Sequence, residues 1–190
     1  MSPVAQTNAV VLDRDGTLIE HVPYLSSVQD IQLLPGVIDA CQLLKAHNIK
    51  LYIATNQSGI GRGYYTEDDY RGIETYVHRL FESHGIGIEQ TFYCPFHPEH
   101  GVGQYKRESH DRKPNPGMIE RAIAHAGVDA AEVVMVGDNV VDIQAAQAAG
   151  VRSALVRTGL GSDMVFEAKD APDFIGDTLL DVVSQFMLLQ

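Results

Sequence analysis

The sequence predicts an α/β fold, a Rossmann-like parallel sheet with helices on both faces and no separate cap domain, and three observations carry that reading. Short apolar runs, Ala9-Val10-Val11-Leu12, Leu51-Tyr52-Ile53-Ala54, Val133-Val134-Met135-Val136 and Ala154-Leu155-Val156, alternate with longer segments of helical period. The runs are almost wholly apolar, as strands are when both of their faces are covered. The three clearest runs also end in reactive polar residues, and ligands of open parallel sheets bind outside the carboxyl ends of the strands.

Each helical segment has its own justification. Val37, Ile38, Cys41 and Leu44, and then Tyr70, Ile73, Val77, Leu80 and Phe81, recur at spacings of about three and four residues and so give each segment one apolar stripe. Thr66 before Glu67-Asp68-Asp69 reads as an N-cap hydroxyl followed by first-turn acids, and Gly85 as the stop after His84. Asn115-Pro116 reads as a cap plus a first-turn proline, followed by Met118, Ile119, Ala122 and Ile123 and a stop at Gly127. Leu179, Leu180, Val182, Val183, Phe186 and Met187 form a last amphipathic helix. The one long irregular segment, Pro95 to Asn115, is rich in Gly, His and charge, and loops of that length usually carry function.

Composition limits the classes that fit. The 190 residues show no internal repeat, low-complexity stretch or linker, so the expectation is one domain over 1–190. Twenty-five acidic against fourteen basic side chains leave a net charge of −11, which repels nucleic acid and anionic membranes. Cys41 and Cys94 are too few for a disulfide framework and read as thiols in a reducing compartment. No run approaches the roughly 20 apolar residues of a membrane span, and Met1 to Asn8 lack a charged-then-apolar leader pattern, so the expectation is a cytoplasmic protein.

The polar residues after the strands are Asp13-Arg14-Asp15-Gly16-Thr17, Thr55-Asn56-Gln57-Ser58-Gly59 and Gly137-Asp138-Asn139, with Asp142 one turn further. Asp13, Asp15 and Asp138 in one crevice concentrate negative charge, which calls for a hard cation, Mg²⁺. Arg112-Lys113-Pro114 brings positive charge to the same rim, and the donors of Thr55 and Asn56 are suited to an anion there. A carboxylate nucleophile, a second acid two residues on, a hydroxyl, a lysine and a metal carboxylate together make a phosphoryl-transfer site. Arg14 reads as a positional filler between the two acids, and Asp142 equally well as a first-turn helix acid or as an orienting group.

In order and spacing, these four motifs resemble those of the haloacid-dehalogenase superfamily of phosphatases. The wider pattern, Cys94-Pro95-Phe96-His97-Pro98 and Asp111-Arg112-Lys113-Pro114-Asn115-Pro116-Gly117-Met118, is similar to a branch that acts on a sugar bisphosphate. The resemblance spans roughly Val10 to Thr158. It implies a Mg²⁺-dependent phosphatase that removes the C7 phosphate of D-glycero-D-manno-heptose 1,7-bisphosphate through an aspartyl phosphate, with histidinol phosphate as the alternative substrate. It implies Asp13 as nucleophile, Asp15 as acid and base, and Thr55 and Lys113 as holders of the phosphoryl oxygens. Mg²⁺ would be held by Asp13, the Asp15 backbone carbonyl and Asp138. His21, Val22, Pro23 and Tyr24, together with Asn56, Gln57, Ser58, Arg112 and Asn139, would bind the sugar side, Asn139 standing where some relatives carry Lys.

Relatives of this pattern often hold structural zinc through Cys-x-His and Cys-x-Cys, positions that are here Cys94, Phe96, Ser109 and Asp111. His97, His100 and His110 are alternative ligands, but with one thiol of the set left zinc is not expected. The loop is then expected to be held by Tyr93, Phe96, Tyr105 and its prolines. A polynucleotide phosphatase fits the motifs but not the charge. A phospho-accepting signalling receiver shares an Asp acceptor and a Lys but leaves Asp15 without a role. The expected partner is a small phosphorylated sugar bound by a monomer, with no nucleic acid and no membrane.

Overall fold

Successive side chains of a strand enter opposite layers, so a strand covered on both faces serves two cores at once. The computed structural model, which describes residues 5–162, 164, 167 and 170–187, has that arrangement. Strands β1 (Ala9–Leu12), β2 (Lys50–Asn56), β3 (Gln90–Cys94), β4 (Val133–Gly137), β5 (Arg152–Val156) and β6 (Phe174–Gly176) form one parallel sheet in the order β3-β2-β1-β4-β5-β6. Val10, Leu12, Leu51, Ile53, Val134 and Val136 face a layer built by α1 (Val37–Ala46), α3 (Glu67–Ser83) and α6 (Leu179–Met187). Ala9, Val11, Tyr52, Ala54, Val133 and Met135 face α4 (Gly117–Ala126) and α5 (Val140–Ala149). Cys41 belongs to the first layer and Cys94 to the second, so the sheet itself keeps the two thiols apart.

The register positions the site. Leu12 of β1 lies opposite Ile53 of β2 and Val136 of β4, so the residues that follow these three strands emerge side by side. The next residue, Asp13, still donates its backbone N–H to Val136 O at 2.8 Å, which fixes its Cα at the last rung of the ladder. The four apolar runs are strands as expected, but two edge strands escaped the reading. Gln90-Thr91-Phe92-Tyr93-Cys94 mixes polar with aromatic residues, and Phe174–Gly176 is only three residues long, so neither offers an apolar run. Helix α5 also lacked a stripe to detect, because Ala145, Ala146 and Ile143 are buried alongside the carboxylate of Asp142.

The helix ends follow their local chemistry. Thr66 Oγ1 accepts the Asp69 N–H at 3.1 Å while Asp69 Oδ2 accepts the Thr66 N–H at 2.8 Å, a reciprocal cap for α3, and Gly85 beyond its end has φ 70°. The start of α4 differs from expectation: Pro116 is the cap, and Asn115 Nδ2 donates to Ser109 O at 2.9 Å. The Asn115 amide therefore ties down the irregular loop and leaves the helix end uncapped by a side chain. That loop is also held through Glu67, whose carboxylate accepts from Tyr93 Oη at 3.1 Å and Tyr105 Oη at 2.8 Å, with the Phe96 and Tyr105 rings 6.0 Å apart. No cap domain is inserted among the described residues, and no helix among them is long and apolar enough to cross a membrane.

Candidate active site

A crevice of about 410 Å³ opens where the chain leaves β1, β2 and β4. Its floor begins with a sharp turn after Asp13-Arg14-Asp15. Gly16 has φ 86°, and a Cβ there would lie 2.2 Å from Asp138 Oδ2, so only glycine allows the first and last of the four motifs to approach this closely. Thr158 Oγ1 donates to Gly16 O at 2.6 Å and the Leu160 N–H to Asp138 Oδ2 at 2.7 Å, which closes the turn against the chain beyond β5.

Lys113 reaches into this floor and is buried. Its Nζ donates to Asp13 Oδ1 at 2.6 Å and to Ala54 O at 2.7 Å, and forms an ion pair with Asp142 Oδ1 at 2.6 Å. The backbone of Lys113 is clamped by the Asn56 amide, which donates from Nδ2 to Lys113 O at 3.0 Å and accepts the Lys113 N–H on Oδ1 at 3.1 Å. Asn56, expected to donate to a bound anion, lines the crevice and in addition holds the lysine in place through this pair of hydrogen bonds. Asp142 also resolves, since its Oδ1 faces Lys113 and its Oδ2 accepts the Asn139 N–H at 3.0 Å. Asn139 in turn caps α5 through Oδ1 to the Val141 N–H at 3.3 Å.

One ammonium among three buried carboxyls leaves negative charge in excess. Burial, opposed by Lys113 and reinforced by Asp142, Asp138 and Asp15, pushes the Asp13 carboxyl up to about 8. Burial likewise pushes Asp138 up to about 6 against the opposing Leu160 N–H. Burial disfavours the Lys113 ammonium, but Asp13 and Asp142 together outweigh it and hold its pKa above the ordinary lysine range. Among the described residues, Asp13, Asp138 and Asp142 form a trio of potential metal ligands with donor atoms within 4.8 Å of one another. Hard carboxylate oxygens with uncompensated charge fit a divalent cation such as Mg²⁺. With Asp142 turned to Lys113 and the α5 cap, Asp13 and Asp138 are the pair best able to face it.

Arg14 is no filler. It is 3 % exposed, and its guanidinium grips Asp15 through NH2 to Oδ1 at 3.0 Å, NH2 to Oδ2 at 2.8 Å and Nε to Oδ2 at 3.2 Å. Its charge also lies over the Tyr70 ring, 5.7 Å from the centroid. Gln57 completes the hold: Nε2 donates to Asp15 Oδ2 at 3.0 Å and to Thr55 Oγ1 at 2.8 Å, while Oε1 accepts from Tyr65 Oη at 2.7 Å. Tyr65 and Leu160 line the crevice but were absent from the sequence reading, and Arg14, which also lines it, was read there only as a filler. Only Arg14 carried a usable signal, a cation between two acids of one motif.

The walls are built from the other anticipated residues. His21, Val22, Pro23 and Tyr24 form one side, with Ser58, Arg112 and Asn139 also lining the crevice. Arg112 NH1 donates to Phe96 O at 3.2 Å. Further along the loop, Cys94 is buried, His97 Nδ1 accepts the N–H groups of Glu99 and His100 at 3.2 and 3.1 Å, and His110 Nε2 lies 2.6 Å from Glu120 Oε2.

A parallel sheet that presents an aspartate pair, a buried lysine and a metal-compatible aspartate at its strand ends defines a phosphatase of the HAD-hydrolase-like class, and the profile of that family matches residues 110–182. A D-glycero-alpha-D-manno-heptose-1,7-bisphosphate 7-phosphatase of Burkholderia mallei is 40 % identical over 80 % of each chain. A D-glycero-beta-D-manno-heptose-1,7-bisphosphate 7-phosphatase of Vibrio cholerae is 42 % identical over 80 % of this chain and 82 % of its own. The crystal structure of the D,D-heptose 1,7-bisphosphate phosphatase of B. bronchiseptica, complexed with magnesium and phosphate, superposes with a TM-score of 0.83 at 29 % identity, covering 97 % of this chain and all of that one. The chain belongs to the family of the heptose-1,7-bisphosphate 7-phosphatases.

Proposed function

We propose that this chain removes the C7 phosphate of a D-glycero-D-manno-heptose 1,7-bisphosphate. The observation that carries the reading is the buried Lys113 bridging Asp13 and Asp142 beside an Asp15 held in direction by Arg14 and Gln57. A carboxylate oxygen of Asp13 attacks phosphorus while the bond to the sugar oxygen breaks, and Asp15 supplies the proton that the departing alkoxide needs. Asp15 then takes a proton from water as the water oxygen attacks phosphorus, which releases inorganic phosphate and restores Asp13. Lys113 and Thr55 hold the phosphoryl oxygens and so stabilise charge that grows in the transition state. Asp13, Asp138 and the Asp15 carbonyl would hold Mg²⁺, which would supply positive charge to offset the carboxylates and the phosphoryl group.

The same reading takes residues 1–190 as one domain and a monomer, since one chain supplies every group named. It places the protein in the cytoplasm, where two thiols separated by a sheet stay reduced, and expects neither nucleic acid nor a membrane as partner. It expects no zinc in the 94–111 loop, where Phe96, Ser109 and Asp111 stand at three of the positions that carry ligands in zinc-binding relatives. The test is release of inorganic phosphate, with Mg²⁺, from both anomers of heptose 1,7-bisphosphate, from heptose 7-phosphate and from histidinol phosphate. The bisphosphate should have the highest kcat/KM; a higher value for histidinol phosphate replaces this substrate with that one. Elemental analysis should find well under one zinc per chain.

A further inference from the structure

Against Tyr24, a residue of the crevice wall, stands a second arginine that the four motifs do not account for. Arg62 follows the short helix α2 (Ser58–Gly61), directly after the Thr55-Asn56-Gln57-Ser58-Gly59 motif. Its side chain is half-buried, its Nε is buried with no hydrogen-bond partner, and among the described residues it pairs with no carboxylate. Among the described residues, the contact that fixes its guanidinium is the ring of Tyr24, 5.8 Å from charge to centroid, and Tyr24 lines the crevice with its ring edge-on to Tyr64 at 4.5 Å. Tyr24 has φ 54°, an unfavourable backbone for a bulky residue, so the turn that presents this ring is maintained by its surroundings.

Arg62 also faces other cations. It lies close enough to Arg112 to depress that guanidinium's pKa alongside the main effect of burial, and both arginines depress His97. Glu108 is the acid that faces Arg112. In a protein with eleven more acids than bases, two neighbouring arginines, one of them without an ion-pair partner among the described residues, make a place suited to an external anion. The nearest anion that a phosphatase crevice brings in, apart from the phosphate being cleaved, is a second anionic group on the same substrate.

We propose that Arg62 is a specificity residue: it closes with Arg112 on the phosphate that is not cleaved, carried at the far end of the substrate, and uses Tyr24 as the platform that aims it. The inference rests on the bisphosphate reading above and adds to it the group that makes the second phosphate count. The Asn139 side chain caps α5 and is neutral, so it adds no cation to this rim.

The experiment compares kcat/KM for heptose 1,7-bisphosphate and heptose 7-phosphate in the wild type, Arg62→Ala and Arg62→Lys. A charged hydrogen-bonded contact of this kind corresponds to roughly a 10- to 100-fold loss for Arg62→Ala on the bisphosphate, expressed mainly in KM. The loss on the monophosphate should be several times smaller, and Arg62→Lys should recover part of the preference. A wild-type ratio of bisphosphate to monophosphate near one overturns the substrate reading and this inference together. A high wild-type ratio that Arg62→Ala leaves unaltered, or an equal loss on both substrates, overturns the role of Arg62 alone. Thermal melting of each variant identifies a loss that comes from unfolding.

Discussion

The floor and the rim of the crevice are built on opposite rules. On the floor, Asp13, Lys113, Asp142, Arg14 and Asp138 are all buried, and each charged group meets a partner at hydrogen-bonding distance. At the rim, Tyr24 is 44 % exposed, and Arg62 and Arg112 stand beside each other with their charge little compensated. A buried, mutually paired set admits little change in any one member, because removing a partner strands a charge in a low-dielectric site. An exposed, loosely paired set can be altered residue by residue at small cost. The floor therefore suits the step shared by every phosphate ester, and the rim suits the choice among esters.

The contrast can be broken most decisively at the nucleophile. Asp13→Asn should lower turnover by more than about 10⁴ on every ester alike, because the amide keeps the shape but cannot attack. Phosphate release near the wild-type level, or a loss confined to one substrate, removes Asp13 from its role. Asp15→Asn should cost roughly 10²- to 10⁴-fold, with a larger penalty for sugar esters than for p-nitrophenyl phosphate, whose leaving group needs no proton. Equal penalties on both esters count against the assignment of Asp15.

Two smaller effects sharpen the account of the floor through stability. Arg14→Met strands the Asp15 carboxylate and should reduce the free energy of unfolding by about 3 kcal/mol, read from urea denaturation. A change below about 0.5 kcal/mol would place Arg14 with ordinary surface residues. The second effect depends on pH. Asp13 and Asp138 are raised from 3.8 to about 8 and about 6, so the folded protein holds protons that the unfolded chain has released. In EDTA, stability should therefore be greatest near pH 4 and fall as pH rises toward 8. Saturating Mg²⁺ at about 100 times its Kd should restore about 2.7 kcal/mol at the upper end. Asp138→Asn should abolish that response, as followed by melting temperature; a Mg²⁺ response that survives the substitution excludes Asp138 as a ligand.

The smallest expected effect lies at the rim. Tyr24→Ala removes a ring under Arg62 and should lower the ratio of bisphosphate to monophosphate kcat/KM by about threefold, in line with an exposed cation–π contact. A loss common to both substrates would place Tyr24 with the floor.

How much of this was readable from the residues divides along the same line. Asp13, Asp15, Thr55, Lys113 and Asp138 were legible because each stands just past an apolar run or in a fixed frame with others, and strand ends have a known fate. The central strands were legible because double burial demands continuous apolar sequence, whereas β3 and β6 lie at the edges and escape that demand. Arg14 was misjudged because adjacent residues of a strand usually point apart, and only the turn at Gly16 swings Asp15 back against it. The hold of Asn56 on the Lys113 backbone was not foreseen, because a side chain's partner 57 positions away is a product of tertiary structure that no local pattern encodes. Arg62 lies outside the motif by a few residues and becomes informative only when Tyr24 and Arg112 are seen beside it.

The strand order also governs the sequence of events by which the molecule forms. β1 pairs on one side with β2, where Ala9 meets Lys50, and on the other with β4, where Ala9 meets Val133. The second closure spans a loop about three times as long, which adds about 1 kcal/mol of chain entropy by the logarithmic rule and makes it the later of the two on topological grounds. Until β4 arrives, Asp13 has no Val136 carbonyl to hold its backbone, and neither Asp138 nor Asp142 is in place. A chain emerging from the ribosome with only its first half folded thus carries the nucleophile motif unassembled, and catalytic competence comes into being in the same event that completes the sheet.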